Sequence, residues 1–156
     1  MIAPETLWHS LERHAAERPN KSALSDEQGS ISYADWPAEI QRRAEHLRAV
    51  GCRCVALALP NGREWLMWDL AILKDGLICV PIAPFFTRQQ REHLLRSAGV
   101  DTVLGMADDS AELLAQGFAA TSLGWQRAPM GAGIPAGTAK ITFTSGTTGT
   151  PKGVCL

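Results

Sequence analysis

The chain has 156 residues, 46% of them hydrophobic, which is enough to bury one ordinary core. Its 15 basic and 16 acidic residues are mixed along the sequence for a net charge of −1, with no basic stripe, which argues against nucleic-acid binding. No apolar run approaches bilayer length, and Met1 to Glu5 lacks the basic and apolar regions of a secretory signal, so a cytoplasmic domain without a membrane span is expected.

Leu7, Leu11 and Ala15 recur at spacings of four and predict a helix over 5–17, closed by Pro19-Asn20. His9 and His14 belong to this surface helix and read as ordinary helical residues. Ala23 to Ser25 and Ile31 to Tyr33 predict a hairpin turning at Asp26–Gly29. The next helix presents Trp36, Ile40, Ala44 and Leu47 on one face and stops at Gly51. Its start has two readings: a capping box Ser32-x-x-Asp35, or Asp35 as cap with Pro37 in the first turn.

From Cys54 onward strands and helices alternate. Cys54 to Leu59 is a continuous apolar run, expected of a strand covered on both faces. Pro60-Asn61-Gly62 turns it into a helix over 64–74, closed by Asp75-Gly76, with Trp65 and Trp68 read as core packing. Leu77 to Ile82 is the next strand, with Pro81 at its exit. The adjacent Phe85 and Phe86 cannot both face one core: either one lines a cleft or contacts further chain, or, the favoured reading, they form a simple hydrophobic staple onto the next helix. Thr87-x-x-Gln90 is a capping box for a helix containing Leu94 and Leu95 and ending at Gly99. Val100 to Leu104 is a strand, Asp108 or Asp109 caps a short helix through Leu114, and 118–123 forms one more strand. Residues 124–139, rich in Gly and Pro, read as a long connection. The alternation predicts an α/β layered fold with a largely parallel sheet flanked by helices. The expected organisation is a single N-terminal α/β subdomain over 1–156: a core to 123, the connection, then a strand and loop over 140–156.

The cysteines Cys52, Cys54, Cys79 and Cys155 form no C-x-x-C, and no histidine is spaced to complete a zinc site. Cys52 and Cys54 are expected on one face of a strand start, a poor disulfide geometry, so these are read as thiols in a reducing compartment.

The chemistry concentrates in Ile141 to Cys155. A β-branched and aromatic run, Ile141 to Phe143, leads into a loop made of Thr, Ser, Gly, Pro and Lys. Gly146 and Gly149 allow main-chain N–H groups to approach a ligand closely, and successive N–H groups in such a turn form an anion site. The hydroxyls of Thr144, Ser145, Thr147 and Thr148 add neutral donors, and Lys152 adds a mobile positive charge. A polyphosphate suits these groups. The spacing is not that of G-x-x-x-x-G-K-[ST]: counting from Gly146, its second Gly falls on Pro151, and Gly153 stands where a Ser or Thr should. G-x-G-x-x-G is not satisfied either.

The string Thr144-Ser145-Gly146-Thr147-Thr148-Gly149-Thr150-Pro151-Lys152-Gly153 resembles the signature loop of the adenylate-forming superfamily of acyl-CoA synthetases, nonribosomal peptide adenylation domains and luciferases. Other segments agree in order. Ile31 to Trp36 is similar to T-Y-x-E-L, Leu59 to Trp65 to L-P-N-S-x-E-W, and Leu73 to Ile82 to L-K-A-G-A-x-x-V-P-I, with Asp75 in place of a small Ala.

The resemblance implies two half-reactions. A carboxylate and Mg-ATP give an acyl-adenylate and pyrophosphate, and the acyl group then passes to the thiol of CoA or carrier-protein pantetheine. It implies ATP and Mg2+ as cofactors, and phosphate contacts from Thr144, Ser145, Gly146, Thr147, Thr148, Gly149 and Lys152. No catalytic residue and no metal ligand is assigned within this stretch. The adenine-binding segment, ribose-binding acid, acyl pocket and mobile C-terminal domain of the family have no counterpart here. The chain is therefore expected to be the N-terminal part of an AMP-forming carboxylate ligase, inactive alone. The alternative is a binding or assembly module derived from that fold, for which self-association is expected.

Overall fold

The computed structural model describes residues 4–144 and 150–156. Helix α1 (Pro4–Glu17) is followed by an antiparallel hairpin, β1 (Ser22–Asp26) and β2 (Gly29–Ser32), as the sequence predicts. Helix α2 (Trp36–Val50) buries Trp36, Ile40, Ala44 and Leu47 and ends at Gly51, whose left-handed φ of 69° suits glycine. At its start both readings hold in part. Asp35 occupies the cap position with Pro37 in the first turn, but its side chain caps nothing. Instead the Ser32 hydroxyl donates to Asp35 Oδ2 at 2.6 Å and accepts from the Asp35 N–H at 3.2 Å.

The central sheet is built from β3 (Cys54–Ala58), β4 (Ile78–Pro81) and β5 (Thr102–Gly105), with β3 between the other two and parallel to both. Val55 and Leu57 enter one apolar cluster with α2 and α3 (Arg63–Lys74), whereas Cys54 and Ala56 enter another with α4 (Arg88–Ser97) and α5 (Ser110–Ala115). The period of two thus explains why the run is apolar throughout: each face of β3 is covered by helices. Trp65 and Trp68 pack half-buried against the first cluster. The result is a three-layer α/β fold with a mostly parallel sheet.

Buried polar groups tie the layers. Asp101, 3% exposed, accepts from the N–H groups of Arg53 and Cys54 at 2.9 and 3.2 Å and from the Thr102 hydroxyl at 2.9 Å, fixing the start of β3. Asp26 reaches across from the hairpin to accept from the Arg63 N–H at 2.8 Å, satisfying a first-turn donor of α3 that Gly62 cannot. That hydrogen bond holds the Asp26 carboxyl below the usual carboxylate range. The Thr87/Gln90 capping box of α4 is present in both halves.

Four expectations need correction. Asp109 stands before α5 without capping it, because its carboxylate is engaged by Arg91. A 3-10 turn, Ala107–Asp109, precedes α5. The strand expected over 118–123 is only β6 (Ala119–Ala120), and its partner β7 (Trp125–Gln126) lies inside the stretch read as a connection. Both are antiparallel additions beyond β5. Cys52 and Cys54 do not share a face: Cys52 donates to the Leu47 carbonyl in the first cluster and Cys54 to the Ala98 carbonyl in the second, each at 3.3 Å. Cys52 precedes the strand, so strand alternation does not reach it.

Finally, β8 (Ile141–Thr144) pairs antiparallel with β9 (Lys152–Cys155), a strand that Lys-Gly-Val-Cys does not announce. A parallel bridge between Lys140 and Cys79 and a hydrogen bond from the Cys79 N–H to the Ala139 carbonyl at 2.9 Å place β8 beside β4.

Candidate functional site

Parallel β3, β4, β5 and β8 bring their carboxyl ends to one edge. The chain leaves β3 toward α3 on one face and β5 toward α5 on the other, and a crevice opens where neighbouring strands diverge in this way. A cleft of about 910 Å³ lies there, lined by Leu59, Pro60 and Asn61 after β3, Ala83 to Phe86 after β4, Met106, Asp108 and Asp109 after β5, and Thr142 and Phe143 of β8.

Local geometry shapes this edge. A Cβ on Gly105 would meet the Ala58 carbonyl oxygen at 2.6 Å, so the ends of β3 and β5 approach this closely only with glycine there. Met106 follows with φ 58° and ψ 36°, left-handed without being glycine, and lines the cleft. Phe86 is buried against α4, whereas Phe85 is 73% exposed at the cleft, so the staple reading holds for one ring and the cleft-lining alternative for the other. The loop is braced by Arg91, which donates to the Phe86 carbonyl at 3.0 Å, to Glu112 at 2.6 Å and to Asp109 at 3.2 Å. The hydrogen bond to buried Glu112 raises the Arg91 guanidinium above its ordinary value.

Thr144 and Lys152 are direct partners in the β8–β9 register, so the segment between them leaves and re-enters one hairpin. Both are exposed. Opposed residues of an antiparallel pair point to the same side, which puts the Thr144 hydroxyl and the Lys152 ammonium on one face at the root of the loop. Among the described residues, Lys152 makes no salt bridge. Ser145, Gly146, Thr147, Thr148 and Gly149 lie outside the described residues. Ile141 and Phe143 of β8 border a second cavity of about 550 Å³ against His93 and Ser97 of α4, which Lys152, Gly153 and Cys155 of β9 also line. Gly153 packs closely there, since a Cβ would lie 3.0 Å from side-chain atoms of both Ile141 and Phe143, which would have to give by a few tenths of an ångström.

The thiols fall into two classes. Burial pushes Cys52 up to about 11 and Cys54 up to about 12, and burial followed by the Asp69 carboxylate pushes Cys79 higher still. Cys155 is exposed. Reaction with an aromatic disulfide reagent at pH 8 is expected to modify Cys155 rapidly and the other three only on unfolding, because the thiolate is the reactive form. Fast release of more than one equivalent would contradict this.

The profile of the family described as AMP-binding enzyme matches residues 11–156. The chain belongs to this family. The AMP-binding match extends to individual proteins. AMB antimetabolite synthetase AmbE of Pseudomonas aeruginosa is 31% identical over 163 residues, an alignment covering 97% of this chain and 8% of that protein. Nonribosomal peptide synthetase easA of Emericella nidulans is 28% identical over 167 residues, covering 98% of this chain and 2% of that protein. Among solved structures, O-succinylbenzoate coenzyme A synthetase (MenE) of Bacillus subtilis, in complex with AMP, superposes with a TM-score of 0.68 at 27% identity, covering 92% of this chain and 40% of that one. The chain thus spans less than a tenth of the first two synthetases and two fifths of the coenzyme A synthetase. The adenylate-forming family uses ATP, generally with magnesium.

Sequence reasoning missed Arg91, Met106 and Lys140. Arg91 and Lys140 act through partners distant in the chain, Glu112 and Asp69, and no local pattern announces such pairs. Met106 follows Gly105 at a strand end, and that glycine is its one local signal.

Proposed function

We propose that this AMP-binding chain supplies the phosphate-holding wall of an AMP-forming carboxylate ligase. ATP and a carboxylate give an acyl-adenylate and pyrophosphate, and the acyl group then moves to the thiol of CoA or of carrier-protein pantetheine. The observation that supports it best is the position of Thr144 and Lys152, facing one another where the Ser/Thr/Gly loop departs from the carboxyl edge of the sheet. Charge builds on the phosphates as the α-phosphorus is attacked, and fixed donors around them lower that barrier. Main-chain N–H groups, the hydroxyls of Thr144, Ser145, Thr147 and Thr148, the glycines Gly146 and Gly149, and the Lys152 ammonium are the groups we assign to this role. The cleft beside them, with exposed Phe85 and half-buried Trp65, suits the less polar part of a substrate.

Magnesium takes oxygen ligands, carboxylates above all. Among the described residues no three carboxylate, imidazole or thiolate groups converge, and magnesium held by one or two protein oxygens together with the substrate phosphates needs no such cluster. Among the described residues no helix is long and apolar enough to cross a membrane. The unpaired cysteines favour work in a reducing compartment such as the cytoplasm.

The purified 156-residue chain is expected to show no carboxylate-dependent ATP–pyrophosphate exchange, because one wall of donors does not assemble both reactants. Measurable exchange by the chain alone would refute this division of labour.

A further inference from the structure

The hairpin that bears both ends of the loop is weakly joined to the rest of the sheet by hydrogen bonds. β8 and β9 form a two-stranded sheet of their own, linked to β4 among the described residues through the Lys140–Cys79 bridge. An isolated two-stranded hairpin is marginal in water, so something further must hold it. One face of β8 does this with Ile141, 2% exposed, and Phe143, both packed in the cluster with α4. The other face contains Lys140, Thr142 and Thr144 by strand alternation.

On that face Lys140 Nζ donates to Asp69 Oδ2 at 2.8 Å and lies 2.7 Å from Oδ1, and it stands 5.4 Å from the centre of the Trp65 ring. Trp65 and Asp69 are one turn apart on α3, so a single ammonium is gripped by an aromatic face and a carboxylate of the same helix. The pair is sheltered: side-chain exposure is 31% for Lys140 and 15% for Asp69. Its partners are 71 positions apart in sequence.

We propose that Lys140, clamped by Asp69 and Trp65, is a positioning residue that fixes the β8–β9 hairpin, and with it Thr144 and Lys152, against the α/β layers. Lys140 precedes Thr144 by four residues, roughly 13 Å along a strand, so it is an anchor for the loop and not a contact within it. Pairing with Asp69 also compensates its charge locally, leaving Lys152 as the free ammonium at the root of the loop among the described residues. The consequence for phosphate rests on the function proposed above, whereas the docking of the hairpin does not.

Hydrogen exchange on the full chain, read separately over 140–156 and over the peptides of β3 to β5, tests this. In Lys140→Met, exchange in Ile141–Thr144 and Lys152–Cys155 is expected to accelerate roughly tenfold, as for a sheltered charge left without its partner, with β3 to β5 unchanged. Lys140→Arg should keep parental protection, and Asp69→Lys combined with Lys140→Asp should recover most of what either single change loses. Hairpin exchange in Lys140→Met equal to the parent's would overturn the proposal. So would an equal acceleration through β3 to β5, which marks a general loss of stability. The same experiment with Mg-ATP keeps the two ideas apart. If the nucleotide fails to slow exchange at the loop while the Lys140 variants behave as stated, the phosphate reading falls and the anchor stands.

Discussion

Replacing Lys152 by alanine is expected to lower carboxylate-dependent ATP–pyrophosphate exchange by roughly two orders of magnitude in a complete ligase bearing this segment, the usual effect of removing one donor aimed at developing charge. Acyl transfer from preformed adenylate to the thiol should fall far less, because pyrophosphate has then departed. The argument rests on position and on charge. Lys152 begins β9 directly opposite Thr144, is exposed, and pairs with no carboxylate among the described residues, so its charge is available to a ligand. Measuring the two half-reactions separately decides the matter: equal losses in both would point to a general structural role. Lys152→Arg should be only partly active, since a planar guanidinium does not replace a compact ammonium in a tight phosphate turn.

The second large effect concerns the frame. Asp101→Ala should destabilise the chain by about 3 kcal/mol, since it strands buried donors that lose their acceptor. Those donors are the N–H groups of Arg53 and Cys54 and the Thr102 hydroxyl, all gathered by one carboxylate that is 3% exposed. Urea unfolding should show a lower midpoint with an unchanged slope. A midpoint within experimental error of the parent's would mean that water replaces the carboxylate at the start of β3. Asp101→Asn, which keeps one acceptor oxygen, should lose less.

These two residues also mark how far sequence reading reaches. The apolar stripe of α2, the continuous run of β3 and the capping box at Thr87 are local patterns, and each is found as read. They are legible because helix periodicity, strand alternation and caps are decided by residues a few positions apart. The loop string is legible as a motif for the same reason.

What is not legible depends on distant partners. Lys-Gly-Val-Cys has weak strand preference and becomes β9 only because Ile141–Thr144 lies alongside it. Trp125–Gln126 becomes β7 between Thr102–Val103 of β5 and Ala119–Ala120 of β6. Asp109 has the composition of a helix cap, but a guanidinium from α4 competes for its carboxylate. Placing Cys52 on a strand face extends an alternation past the point where the strand begins. The Lys140–Asp69 contact spans nearly half the chain and leaves no trace in either neighbourhood.

The alternation along β3 has a consequence for how such a chain can diversify. Bulky Val55 and Leu57 fill one side and smaller Cys54 and Ala56 the other, so an insertion of one residue would exchange the two sets and overfill one compartment while emptying its neighbour. Length changes are therefore confined to the segments beyond the strand tips, around Asn61, Phe85 and Asp108. Those segments form the rim of the cleft, so ligand preference can drift in this scaffold without disturbing the part that folds.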